Sequence, residues 1–489
     1  MTYRKNWFDY LLWAVYAGLC VMLLAYVGNS LYAFHIGESL AALGTFLPFP
    51  VLLCLYPAIR QSGQAVRKKY QFSGHFCAIT ESLVVSVAFV FGTLLRIRNG
   101  LVMASIHESG YTFQSGDYYE LAKVRTGGGG FSFPHGIDDL FVNCLHVVLS
   151  FLGNSVSAAC LFQVFLQVAA MVFAYLAVRK AAGRFAACTV LLTLAFSDSF
   201  NRDVGVIAPK CLLTVLFLLG LYLVISFVKA SLAGRLVYGG LPGAFLLGAF
   251  LGFLCYLEAG CAVLFLFLAG LFTGKPVAGK GNMHPAGRLL IVIAGGLAGF
   301  FGAIAEDASL SGVVFYQGLQ WWADTFFSPD MGRMRLLEVI FCHDYLLFEA
   351  LLLMASFVVF EFIKKGREQD FSLWFLPCIL VTPAFLMDFS VAGFGTIVLF
   401  FWSAMAGLGM KNAIFGGQAE FVREKIEEIN ASVKTEDLEA PAQEKSRFIE
   451  NPLPLPKKHV KRTMDYDYEI AEEDMHYDVE TAAEDDFEE

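Results

Sequence analysis

Runs of about 20 apolar residues, separated by short polar stretches, recur along this chain. A run of that length crosses a hydrocarbon core about 30 Å thick as an α-helix, and continuous apolar runs favour helices over strands. The predicted spans are 9–31, 39–58, 76–95, 156–178, 185–200, 208–228, 241–257, 259–273, 288–305, 345–363, 371–387 and 390–410. We therefore predict an all-α fold, a polytopic transmembrane helical bundle of about twelve spans.

One further apolar stretch, 139–153, carries polar residues on a single helical face, spaced by four, three and four positions: Asp139, Asn143, His146 and Ser150. This pattern is typical of a helix that lies in the plane of the membrane interface. The sequence Tyr256-Leu257-Glu258-Ala259-Gly260 interrupts the long apolar run 241–273 near its middle. It predicts a hairpin turn between two spans.

Lysine and arginine residues predict the orientation of the bundle, because cytoplasmic loops are rich in them. Basic residues stand next to the predicted inward ends of the first and fourth spans: Arg4, Lys5, Arg179 and Lys180. We expect a multi-pass protein of the cell (plasma) membrane with both termini in the cytoplasm. Two large loops, 96–155 and 306–344, are expected outside.

Composition divides the chain into a membrane part and a tail. Only 16% of all residues are charged and the mean hydropathy is +0.60, which excludes a soluble globular protein. Residues 417–489 carry 22 acidic and 9 basic side chains, whereas the whole chain has a net charge of only −9. We predict a transmembrane domain, 1–416, and a charged, acidic, largely disordered cytoplasmic tail, 417–489, suited to recruiting a cytoplasmic protein. This balance argues against nucleic acid as a partner.

The 11 cysteines stand singly, mostly in apolar runs, and no C-x-x-C pair occurs. They indicate small buried side chains, not a zinc site or a disulfide framework. No cofactor is predicted, and the cysteines indicate no metal site.

The loop 96–155 is the longest polar stretch before the tail, and its centre is Gly116-Asp117-Tyr118-Tyr119. A carboxylate in a cavity at the membrane surface is suited to act as a general base, because burial and neighbouring cations adjust its pKa in opposite directions. The alternative is an aspartate that caps the following helix. His135 and Glu108 are further candidates for acid, base or metal-binding roles.

Cations on the predicted outer side are exceptions to the usual distribution of charge. These exceptions include four cations, Arg96, Arg98, Arg202 and Lys210. Each is suited to an anionic partner, either a lipid phosphate or a structural carboxylate. Arg202 has Asp198 and Asp203 nearby, which favours a local ion pair, whereas Lys210 has no evident partner in the sequence.

The order of these features resembles the GT-C class of integral membrane glycosyltransferases, in particular its bacterial mannosyltransferase/aminoarabinose-transferase type. A short charged N-terminus, a long outer loop with an Asp-aromatic motif, an in-plane helix and a span ending in basic residues follow in the same order. The stretch from Phe151-Leu152-Gly153-Asn154 to Ala177-Val178-Arg179-Lys180-Ala181-Ala182-Gly183 is similar to the family's segment after the catalytic loop.

The resemblance implies a polyprenyl-phosphate-sugar donor held in membrane lipid, and Asp117 as the catalytic aspartate. It implies that the phosphate is bound by residues among the four cations. The complete set of substrate-binding candidates is Arg96, Arg98, Tyr118, Tyr119, His135, Arg202, Lys210 and Glu258. The chain departs from the family in having Asp117-Tyr118 where many members have adjacent Asp-Glu, and in two additional spans before the loop.

Two other functions fit a polytopic chain. A transporter of a lipid-linked saccharide favours internal repeats with discontinuous helices at matching positions, and no such repeat is visible in the sequence. A non-catalytic membrane scaffold would use the tail to bind its partners.

Overall fold

The computed structural model describes residues 18, 21, 48–69, 74–108, 116–126, 133–232, 240–269, 285–326, 347, 350–355 and 395–415. The predicted span 371–387 and the predicted tail 417–489 lie outside these residues, as does nearly all of 9–31. The chain forms two compact units, one of Met1–Tyr56 and Cys77–Asn412, the other of Pro57–Phe76 and Ala413–Glu489. In the second unit, Gly63 packs against the backbone of Ile414.

All regular structure in the described residues is helical, as predicted. The α-helices are α1 Pro48–Lys69, α2 Gly74–Glu108, α3 Gly116–Thr126, α4 Ile137–Leu152, α5 Val156–Ala182, α6 Arg184–Phe196, α7 Asp198–Arg202, α8 Lys210–Leu232, α9 Gly240–Leu257, α10 Pro285–Leu310, α11 Phe315–Phe326 and α12 Gly395–Phe415. Two 3-10 helices cover Asp203–Gly205 and Ala259–Ala269.

Five of these helices are long and apolar enough to cross a membrane: Ala78–Glu108, Val156–Ala182, Lys210–Ser231, Gly240–Leu257 and Gly287–Leu310. Each overlaps a span that hydropathy predicts. The chain is therefore a multi-pass membrane protein.

The helix predicted over 76–95 does not end there. It continues to Glu108, so residues 96–108 are helical and the polar stretch between helices is shorter than expected. The sequence pattern suggested an end at Arg96 because that residue is charged, but Arg96 is fully buried and hydrogen-bonded within the fold. A charge with internal partners does not terminate a span.

The amphipathic helix predicted over 139–153 is α4, which is separate from the span that follows it. It starts after Gly136, whose φ of 138° is in a region that side-chain-bearing residues rarely adopt. Its apolar face is buried, with Phe141 and Leu145 at 0% exposure. Asp138 and Asp139 stand in its first turn, where the helix dipole favours negative charge.

The span predicted over 185–200 is broken. Helix α6 ends at Phe196, and the hydroxyl of Ser197 then accepts a 3.2 Å hydrogen bond from the backbone N–H of Phe200 to cap the short α7. The broken segment runs beside α2, since Gly92 lies next to Ala195 and Gly100 lies next to Val204.

Helices α9 and α10 pack backbone to backbone through glycines. A Cβ built on Gly295 would lie 2.2 Å from the carbonyl oxygen of Phe245, and one on Gly299 would lie 2.2 Å from that of Ala249. Both contact positions advance by four residues together, so the two helices run parallel. This is the close approach that small residues allow between membrane helices.

The predicted hairpin turn lies at Glu258, between α9 and the 3-10 helix Ala259–Ala269. The side chains of Leu254 and Leu264 both lie next to Gly220 of α8. Two residues ten positions apart reach one point only if the chain has reversed, so the 3-10 helix runs back along α9.

Polar contacts join the helix ends at two levels of the bundle. At one level the carboxylate of Glu81 lies 2.8 Å from Arg179 and 3.3 Å from Arg184, and the hydroxyl of Tyr175 donates to it. We call this level the Glu81 end. The opposite level, where α2 ends and α5 begins, includes His135 and is called the His135 end.

Candidate functional site

Helix α3, which carries Asp117 in its first turn, is held on the amphipathic helix α4 by side chains. The hydroxyl of Tyr118 donates a 2.8 Å hydrogen bond to Asp138. At the other end of α3, the guanidinium of Arg125 donates to the amide oxygen of Asn143 and, at 3.1 Å, to Asp139. These contacts fix the backbone of α3 on both sides. The side chain of Asp117 itself lies outside the described part of the structure.

The contact between α3 and α4 continues beyond these bonds. The hydroxyl of Thr126 lies 3.1 Å from Nδ1 of His146, and the rings of Tyr118 and Phe141 pack edge to face with centroids 5.9 Å apart. Tyr119 is buried, and Lys123 stands 5.8 Å from the centre of its ring. Burial raises the pKa of the Tyr119 hydroxyl, and the opposing effect of the Lys123 charge is smaller, so the phenol stays neutral at physiological pH.

The loop 133–136, just before α4, is held by the ends of two membrane spans. The hydroxyl of Tyr256, at the end of α9, donates a 3.0 Å hydrogen bond to the carbonyl oxygen of Pro134. Nδ1 of His135 pairs with the carboxylate of Asp307, near the end of α10. The indole N–H of Trp322, on α11, donates a 2.9 Å bond to the carbonyl oxygen of Tyr256. Helices α9, α10 and α11 therefore converge on this loop.

Arg96 lies twelve positions before the end of its own helix, α2. Its Nε donates to Gln167 at 2.8 Å, and its guanidinium also donates to the carbonyl oxygens of Gly92, Leu194 and Ala195. The guanidinium carbon stands 4.9 Å from the centre of the Phe200 ring. All three nitrogens donate to protein acceptors. This arrangement stabilises the fold and leaves few N–H groups to bind a phosphate. Arg98, on the same helix, is exposed.

Two cations that follow the end of α6, Arg202 and Lys210, have carboxylate partners. Arg202 lies 2.8 Å from Asp198, and both side chains are largely exposed. Lys210 lies 2.8 Å from Asp203, and both are more than half buried. The sequence showed no evident partner for Lys210, because the 3-10 turn between the two residues brings them together.

The remaining candidates occupy separate places. Glu258 is fully buried at the hairpin turn after α9. Glu108 is exposed at the end of α2, where the hydroxyl of Ser157 lies 3.4 Å from its carboxylate. Within the residues that the structure describes, no group of three or more His, Cys, Asp or Glu side chains is placed to hold a metal ion. The substrate-binding roles of all these residues stay predictions.

Sequence reasoning missed the pairing of His135 with Asp307. Both residues stood in predicted outer loops, but nothing in the pattern indicated which parts of two loops far apart in the chain would meet. The signal that was available is an acidic residue at the end of an apolar run. Glu306 and Asp307 are the first residues after the predicted span 288–305.

No family model and no curated protein matches the chain. Among solved structures, it is similar to the archaeal oligosaccharyltransferase AglB from Archaeoglobus fulgidus in complex with an inhibitory peptide and a dolichol-phosphate, with 12% identity and a TM-score of 0.45 over 72% of this chain and 52% of that chain. It is also similar to an Archaeoglobus fulgidus oligosaccharyltransferase in complex with Zn and sulfate, with 12% identity and a TM-score of 0.42 over 69% and 49%. The chain spans about half the length of these structures.

Proposed function

We propose that the chain is a membrane glycosyltransferase that moves a sugar from a polyprenyl-phosphate-linked donor to an acceptor hydroxyl on the outer face of the membrane. The acceptor is a cell-envelope glycan, a lipid or a protein. The observation that carries the proposal is the attachment of α3 to the amphipathic helix α4. Through it, the backbone of Asp117 in α3 lies beside α4 at the His135 end of the spans. This is the organisation that the resemblance to the GT-C class implies for a catalytic aspartate.

The place of the site fits a lipid-linked donor. Nucleotide sugars are confined to the cytoplasm, so a transferase on the outer face needs a sugar that arrives on a lipid. The prenyl tail of such a donor lies among the apolar helices, and its phosphate stays at the level of the headgroups. Lys210 and Arg202 stand at helix ends, where a phosphate can exchange with the carboxylates that now pair with them.

The reaction is a single displacement at the anomeric carbon. The acceptor oxygen forms a bond to that carbon while the carbon–oxygen bond to the phosphate breaks, and the configuration inverts. Asp117 takes the proton of the acceptor hydroxyl, and the cations stabilise the charge that develops on the departing phosphate.

The test is transfer by the purified full-length protein in proteoliposomes. Undecaprenyl phosphate carrying a radiolabelled sugar is supplied with a cell-envelope acceptor fraction, and the label in the acceptor is measured. Mannose, glucose, galactose and arabinose donors form the panel. Labelled acceptor supports the proposal. Movement of intact donor across the bilayer without transfer, with every sugar of the panel, would replace it with the transporter.

A further inference from the structure

His135 and Asp307 form an oriented pair at the end of two membrane spans. Nδ1 of His135 contacts the carboxylate of Asp307, and the backbone N–H of His135 donates a 3.3 Å hydrogen bond to Asp139. The histidine side chain is 53% exposed, whereas the aspartate is only 21% exposed. The imidazole therefore faces outward from a carboxylate that is itself held within the fold.

The support of Asp307 extends through Tyr256. The Tyr256 hydroxyl donates to the carbonyl oxygen of Pro134 and stands beside the Asp307 carboxylate, and the backbone carbonyl of Tyr256 accepts from Trp322. Trp322 in turn packs edge to face on Phe300, with ring centroids 4.8 Å apart. The loop that carries His135 is thus held by Tyr256 of α9 and Asp307 of α10, and Trp322 of α11 supports Tyr256.

The chemistry of such a pair is directional. A carboxylate that accepts the Nδ1–H of a histidine fixes the tautomer, so that Nε2 carries the lone pair and is the atom that takes up a proton. The same carboxylate stabilises the imidazolium that forms. A half-exposed imidazole in this state collects a proton from a reacting group and passes it to water.

We propose that His135 is a catalytic residue that receives, at Nε2, the proton released from the acceptor hydroxyl, and that Asp307 is its positioning residue. This inference rests on the proposed function and adds a second proton-transfer group to it. Asp117 takes the proton when the acceptor oxygen attacks and gives it to Nε2 of His135. The imidazolium then loses it to water, so both groups are restored for the next turnover.

The attachment of helix α3 beside the His135 loop supports this transfer. Tyr118, the residue after Asp117, is hydrogen-bonded to Asp138, which lies three positions after His135. Helix α3 is thereby attached to the first turn of α4, and the His135 loop leads directly into that turn. Among the described residues, the titratable groups beside the pair are Asp139, which accepts from the backbone of His135, and Tyr256, which stands beside Asp307.

A purely structural role for His135 makes a different prediction, which a pair of variants separates. In the variant His135→Gln, the side-chain amide still donates to Asp307 but takes up no proton. In His135→Ala, both the contact and the proton acceptor are lost, and space is left beside a half-exposed position for free imidazole. If His135 only fastens the loop, the glutamine variant works and imidazole has no effect.

The experiment measures sugar transfer from the same panel of undecaprenyl-phosphate donors in proteoliposomes, with and without added imidazole. We expect both variants to lower kcat by about 10²- to 10⁴-fold with little change in KM. Imidazole restores part of the rate of His135→Ala, saturably, and leaves His135→Gln slow. Asp307→Asn lowers kcat by a smaller factor, and imidazole does not restore it, because the acceptor is still present but wrongly oriented.

The matched control is His146→Ala, which removes an imidazole from α4 outside the pair. We expect the transfer rate of His146→Ala to be the same with and without added imidazole. Thermal unfolding of every variant in detergent reports whether it has folded.

The results distinguish a failure of the proposed function from a failure of the role proposed for His135. A wild-type protein that transfers no sugar of the panel removes the proposed function and this inference with it. An active wild type with a fully active His135→Gln variant, or an alanine variant that imidazole does not rescue, overturns the inference alone.

Discussion

Nη2 of Arg96 donates a 2.7 Å hydrogen bond to the carbonyl oxygen of Leu194, in the last turn of α6. The last carbonyls of a helix have no partner within the helix, and they carry the negative end of its dipole. Arg96 lies twelve positions before the end of α2 at Glu108, about 18 Å along the helix axis at 1.5 Å per residue. The guanidinium therefore completes a helix end at a fully buried position.

Replacing Arg96 by alanine should destabilise the fold. The change leaves buried carbonyl oxygens and the Gln167 side chain without their donor, and each unsatisfied group costs about 1–3 kcal/mol. We expect a lower thermal midpoint in detergent and less folded protein in the membrane. Arg98→Ala, two positions along the same helix but exposed, is the control and should change stability by less than about 0.5 kcal/mol. Equal effects of the two changes would contradict the capping role.

Glycine substitutions should separate the α9–α10 contact from general helix effects. A Cβ on Gly252 would lie 1.9 Å from the carbonyl oxygen of Gly296, so Gly252→Ala forces two backbones apart. Overpacking typically costs about 1–3 kcal/mol, and backbone has little freedom to move aside. A Cβ on Gly243, on the same helix, meets nothing within 4 Å, so Gly243→Ala should leave the unfolding temperature unchanged or higher. The unfolding temperatures in detergent decide the matter.

The substitution Asp117→Asn should abolish sugar transfer without affecting expression. An amide of the same shape takes up no proton, and loss of a general base costs about 10²- to 10⁴-fold in rate. Glu120→Gln, on the same helix, is the control, because Glu120 is exposed and pairs only loosely with Lys123 at 3.5 Å. Transfer at the wild-type rate by the asparagine variant would remove Asp117 from the mechanism.

Labelling of single cysteines should locate the two ends of the bundle. In a variant without the native cysteines, Glu120→Cys near the His135 end should react with an impermeant maleimide added to intact cells. Lys229→Cys, in the last turn of α8 at the opposite end, should react only after the membrane is permeabilised. The reverse pattern would put Asp117 in the cytoplasm, where a lipid-linked donor has no advantage over a nucleotide sugar.

Hydropathy predicted much of this fold because the membrane limits the choices. Helices α5, α8, α9 and α10 lie within a few residues of their predicted spans, and the turn at Glu258 falls where it was expected. The separate amphipathic helix α4 was also predicted, since four polar residues on one face are readable in the sequence alone. These features depend on neighbouring residues and on burial in lipid, which sequence reports directly.

What the sequence did not predict depends on residues that are far apart in the chain. Arg96 was interpreted as the start of an outer loop because a charge normally ends a span, whereas its acceptors belong to α5 and α6. The break at Ser197 and the pairing of Lys210 with Asp203 follow from how those segments fold back. The same holds for the contact between His135 and Asp307, which joins the loop before α4 to the end of α10 through tertiary packing.

The glycine contact between α9 and α10 has a mechanical consequence for Tyr256 and Asp307, which stand near the ends of those two helices. Because the backbones touch, neither helix can slide or rotate against the other without a clash. The positions of Tyr256 and Asp307 relative to each other are therefore restrained by this helix contact. If the site opens and closes around a substrate, the movement must come from helices other than α9 and α10. Tyr256 and Asp307 then keep their relative positions.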